Sequence, residues 1–99
     1  MNNNEGFLNN IKRYSNIDYN NFTTSGIYYI GDGTNINGPG NYNNYNCSNY
    51  IMLLTFHHFN SDDIIQIAIS AAYCIIFIRS INLNRSIYGS WQVIQPIQH

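Results

Sequence analysis

The sequence predicts a small, mainly β domain organised as an antiparallel meander. Three observations carry that expectation. The run Asp63 to Ser80 alternates with a period of two, turn formers crowd between the apolar segments, and 99 residues allow one domain with a marginal core that other copies would help to complete.

Taken in order, Glu5 to Tyr14 reads as a short amphipathic helix, because Phe7, Leu8, Ile11 and Tyr14 share a face at helical spacing. Asn16 to Ser25 is linker-like, with Ile17, Tyr19 and Phe22 as anchors onto a core. Gly26 to Gly31 (GIYYIG) is a first strand bounded by glycines. Asp32 to Asn49 is the longest irregular stretch, dense in Asn-Gly, Gly-Pro and Pro-Gly steps, and Ile36 adds a short strand or pins it. Loops of that length in a small domain are uncommon and often functional.

Tyr50 to Phe59 (YIMLLTFHHF) is nearly continuous in apolar residues, so a central strand with both faces at least partly buried is expected. A turn at residues 60–63 leads into the hairpin. In its first strand Ile65, Ile67 and Ile69 fall on one face, and Ile64, Gln66, Ala68 and Ser70 on the other. The turn falls at Ser70-Ala71-Ala72, after which Cys74, Ile76 and Ile78 alternate against Tyr73, Ile75, Phe77 and Arg79. One helix over the same run is disfavoured by its closely spaced, χ1-stiff isoleucines. A membrane span is disfavoured by length and by Gln66 and Ser70, since spanning takes roughly 20 apolar residues. Residues 82–90 form a second polar turn region, Trp91 to Ile94 a short last strand, and Pro96 ends it.

Composition narrows function. The chain is 44% hydrophobic but only 9% charged, so Asn, interleaved with Tyr, must make its surface polar. Codon bias acting on exposed loops accounts for this without function. The functional alternative is sugar recognition, in which amides donate and accept while rings cover apolar sugar faces. A net charge of −1 with four scattered basic residues argues against nucleic acid. Cys47 and Cys74 are expected as free thiols. The first ten residues carry no secretory signal, so work outside the cell would need another exit, such as lysis.

No catalytic set is found. Asp62 and Asp63 are neighbours on a turn without the second carboxylate a glycosidase needs, and GDGTNINGPG lacks a phosphate-loop pattern. Adjacent His57 and His58 point to opposite faces of a strand and do not chelate one metal together, so neither metal nor cofactor is expected within one chain. An inward His from each copy of a trimer is the one metal arrangement left open.

The ordered pieces GIYYI, NGP, YIMLLTF, DIIQIAIS, YCIIFIRS and YGSWQVI, spanning about residues 24–95, resemble the knob domain of R-type pyocin and bacteriophage tail fibres. The resemblance implies a leader or connector over 1–24, a knob-like β domain over 25–95 and a tail over 96–99. It further implies a homotrimeric module of a virion tail fibre or an extracellular phage-tail-like particle, carried with other tail proteins. Gly26, Tyr28, Gln66, Arg79 and Trp91 are the shared architectural positions.

The expected function is non-enzymatic attachment to a bacterial surface polysaccharide or other receptor through the loops at 32–49 and 82–90, with Tyr42, Tyr45, Arg79 and Trp91 as candidate ligand-binding residues. Arg79 and Trp91 would form a cation–π or sugar-binding ledge. The structural alternative has Gln66 satisfying neighbouring polar groups and Arg79 laying its stem along Trp91 or Tyr88 with its guanidinium in solvent. The rival function is a spacer or trimerisation module with no receptor site of its own. A depolymerase is a distant third.

Overall fold

A computed structural model describes residues 12–94. The expected Glu5–Tyr14 helix lies mostly outside them, and its last two residues are strand instead. The strands are β1 (Arg13–Tyr14), β2 (Gly26–Ile30), β3 (Asn41–Tyr42), β4 (Tyr45–Asn46), β5 (Ile51–His57), β6 (Asp63–Ser70), β7 (Ile75–Asn82), β8 (Ile87–Tyr88) and β9 (Gln92–Ile94), with one 3-10 turn at Tyr19–Asn21. The protein is mainly β.

The main sheet runs β1-β2-β5-β6-β7-β8, and β9 also pairs with β7. Strands β5, β6 and β7 form the expected meander, and β2 pairs antiparallel with β5. The β1–β2 pairing is parallel, so the sheet is mixed. Strands β8 and β9 occupy successive stretches of the same β7 edge, divided by residues 89–91, where Gly89 donates to Ser80 O. A Cβ on Gly89 would stand 2.7 Å from that carbonyl, so glycine permits the close approach.

The sheet buries the face that is chemically more mixed. Leu53, Ile64, Ala68, Phe77 and Ile81 go inward together with Thr55, Gln66, Ser70 and Arg79. Across the other face the register aligns Tyr29, Met52, Ile69, Ile76 and Ile94 in one row, with Ile27, Leu54, Ile67 and Ile78 in the next. None of these side chains is buried. The expectation that β5 is central holds, and its two faces differ: Ile51, Leu53 and Thr55 are fully buried, whereas on the other face Leu54 is half-buried, Met52 39% and Phe56 53% exposed.

What covers the inner face is loop. Residues 12–24, set apart as a leader by the sequence reading, belong to the packed unit: Tyr19 is fully buried, and Tyr14, Ile17 and Phe22 pack beside it. This layer is tied to the 32–49 stretch by Tyr19 N to Ile36 O (3.0 Å) and Ile36 N to Ile17 O (2.9 Å), an isolated bridge rather than a strand. Cys47 completes the core from within the loop.

Two local expectations are corrected. The hairpin turn occupies residues 71–74, where 70–72 was expected, so Tyr73 and Cys74 leave the strand. Cys74, expected in a core strand, is exposed with φ 56°. The 32–49 stretch is also less irregular than expected, because β3 and β4 form a hairpin within it.

Candidate functional site

Opposite each other on β6 and β7 stand Gln66 and Arg79. The Gln66 amide donates to Tyr19 O (2.8 Å) and Phe22 O (3.0 Å), which fastens the covering loop to the sheet. Its Oε1 accepts from Arg79 Nε at 2.7 Å, and Arg79 Nη2 donates to Asn20 Oδ1 at 2.9 Å. Arg79 is only 6% exposed, and its Cζ lies 4.6 Å from the centre of the Trp91 ring. Burial pushes the guanidinium down to about 10, with the more distant Asp18, Tyr88 and Tyr19 opposing that shift, so it stays charged at neutral pH. Trp91 packs edge-on to Tyr19 and donates Nε1 to Asn37 O (2.9 Å). The cation–π contact is present, but the guanidinium serves the interior and is not in solvent.

A second cluster lies at one end of the sheet. Ser70 pairs with Ile51 and Ile75, so the 71–74 turn and the 31–50 loop share an end. The β3–β4 hairpin turns through Asn43 (φ 52°) and Asn44 (φ 69°), the paired left-handed residues of a type I′ turn, which Asn tolerates. It thereby sets Tyr42 beside Tyr45. Tyr42 meets Phe77 edge-on, with ring centres 5.7 Å apart, which seats the hairpin on the core. Tyr45 stacks on Tyr73 at 4.1 Å and 22° between planes. With Asn43, Ile75 and Ile94 these rings line an open cleft of about 390 Å³.

Such a cleft has two chemical elements. Tyr45 and Tyr73, nearly half exposed, offer aromatic surface to apolar C–H groups, while the Asn43 amide and the phenol hydroxyls offer donors and acceptors without charge. The arrangement suits a neutral polyol better than an ion.

Of the residues expected at a site, Tyr42 and Tyr45 come together in this cleft. Arg79 and Trp91 belong to the buried network. Tyr28 packs on Phe22 and Tyr14, and Gly26 opens β2 against Thr55. The 82–90 stretch stands at the opposite end of the sheet from the 41–46 hairpin, since Asn82 pairs with Asp63. Tyr73 was missed, because reading it as a strand residue hid its partnership with Tyr45. Nothing local marks that pair, although Tyr-Asn-Asn-Tyr carries a hairpin signal.

His57 faces two backbone carbonyls, Thr23 O at 3.2 Å from Nδ1 and Ser61 O at 3.0 Å from Nε2, and so pins the loop layer to the far end of β5. Among the described residues, no three His, Cys, Asp or Glu side chains gather to hold a metal, and no helix is long and apolar enough to cross a membrane. No family model, curated protein or solved structure matches the chain.

Proposed function

We propose that the chain is a non-enzymatic attachment module of a homotrimeric phage or phage-tail-like fibre, and that it binds a bacterial surface glycan in the Tyr42–Tyr45–Tyr73 cleft. The observation that carries the reading is the cleft itself: stacked, half-exposed tyrosines beside an uncharged amide, held by a hairpin seated on the core. The fibre assignment rests on the ordered pieces from GIYYI to YGSWQVI.

A single cleft of this openness binds weakly, and several copies on one fibre would raise the avidity without new contacts. Binding of the purified chain to an array of bacterial surface polysaccharides tests the reading. Tyr45→Ala and Tyr73→Ala are expected to lower binding roughly tenfold each, about the worth of an aromatic contact, while leaving the circular dichroism spectrum unchanged. Binding equal to the unsubstituted chain in both variants removes the cleft from the account.

A second reading, a spacer or assembly module without its own receptor site, is favoured by the open aliphatic face of the sheet. It predicts no retention on cells or polysaccharide at all.

A further inference from the structure

The open face of the sheet carries the more hydrophobic half of β5 and β6, and on β7 it carries Ile76 and Ile78. One row is aliphatic from β5 through β9, with Met52, Ile69, Ile76 and Ile94 side by side. The next holds Leu54, Ile67 and Ile78 and ends in Gln92 on β9, and the third holds Phe56 and Ile65 and ends in Ser80 on β7. The charged residues that the register assigns to this side, Arg13 and Asp63, stand at its rim, on the edge strand β1 and at the first residue of β6. An apolar field inside a polar rim is the anatomy of an interface core. Soluble monomers rarely leave so large a continuous apolar patch in water.

We propose that this face is covered by the same face of further copies of this chain. The area argues for that occupant. Phe56 and Ile94 are 53% and 47% exposed, and Met52, Ile65 and Ile76 lie between 37% and 39%. With their half-buried neighbours they offer on the order of 700 Å² per copy, about 1,400 Å² for two copies, within the standard range for stable association. Two such sheets pack face to face about 10 Å apart, and the apolar rows of one meet those of the other. The chain's own ends are poorer candidates. Residues 1–11 bring the apolar side chains of Met1, Phe7, Leu8 and Ile11, and residues 95–99 bring Pro96 and Ile97, against a face of eleven large apolar side chains on β2, β5, β6, β7 and β9.

The inference is separable from glycan binding in the cleft, because a monomer that binds polysaccharide would overturn this proposal and the homotrimer while leaving the cleft in place. The test is the mass of the full chain by sedimentation at about 50 µM, a concentration at which an interface of this class is populated. The expected mass is two or three times the 11.4 kDa of one chain. Ile67→Lys, at the centre of the face, is expected to reduce it to one chain with the β spectrum retained. Ile36→Lys, exposed on the opposite, loop-covered side, should leave it unchanged. The thermal midpoint of the unsubstituted chain should also rise with protein concentration, because association stabilises the folded state by mass action. A single-chain mass, an oligomer that Ile67→Lys does not alter, or a midpoint constant over a hundredfold range of concentration overturns the proposal.

Discussion

At the scale of single residues, the asparagines have structural work that accounts for much of their number. Of the seven non-glycine residues with positive φ among those described, Asn16, Asn37, Asn43 and Asn44 are four, which is where a short amide side chain is tolerated best. Asn35 accepts from Ile17 N and donates to Gly31 O, Ser48 O and Asn49 Oδ1, joining three parts of the loop layer. Gln66 does the same between loop and sheet. Gln66→Leu leaves buried Arg79 Nε without its acceptor and removes the side-chain bonds that tie Tyr19 O and Phe22 O to the sheet, and should cost about 3 kcal/mol in urea unfolding. That Gln66 and Arg79 lie near one another was legible in the sequence, because they stand on facing arms of one hairpin; their direct pairing depends on the turn lying at residues 71–74 rather than 70–72. The burial of Arg79 was not, since it depends on Asn20, 59 residues away, and on Trp91, in the segment between β8 and β9.

Two titrations belong to this scale. Hydrogen bonds from Asn82 and Ser61 hold the Asp63 carboxylate below its ordinary 3.8. The stability this adds is present above that value and is lost as pH falls through the lower folded one, so Asp63→Asn should flatten the acid limb of the stability profile. Tyr19 shifts the other way, because burial raises its phenol above the ordinary 10.0. The unfolded chain ionises first, and stability falls as pH rises beyond that point. Tyr19→Phe should weaken this alkaline dependence while giving up the hydroxyl's bond to Ser48 O.

At the scale of elements, alternation identified the meander because each long strand presents two distinct faces, and its register then follows from the turns. Alternation does not say which face goes inward. The polar-bearing face is inside because it meets a loop layer rich in backbone donors and acceptors, and such a layer has no periodicity to read. The β3–β4 hairpin is short and escaped for a related reason: two residues per strand are too few for a pattern, and only its turn chemistry marks it. Asn44→Gly should keep this hairpin, and Asn44→Val should destabilise it by roughly 1 kcal/mol or more, since a β-branched residue resists positive φ. The same logic holds at Cys74. Cys74→Gly relieves its left-handed backbone and should raise the unfolding midpoint slightly. Before any substitution, Cys74 should react with a thiol reagent at once, and fully buried Cys47 only on unfolding.

At the scale of the whole molecule, the sheet divides the protein into a loop-covered side and an aliphatic side, and the tyrosine cleft lies at one end, where the β3–β4 hairpin meets the 71–74 turn. The cleft and the aliphatic side meet at Ile94, which lines the cleft and also ends the aliphatic row of Met52, Ile69 and Ile76. The most direct measurement is binding of the full chain to immobilised bacterial surface polysaccharides, with Tyr45→Ala and Tyr73→Ala in parallel. The account predicts retention of the unsubstituted chain on at least one polysaccharide and roughly tenfold weaker retention of each variant. Retention that both variants share in full, or none by the unsubstituted chain, would contradict it.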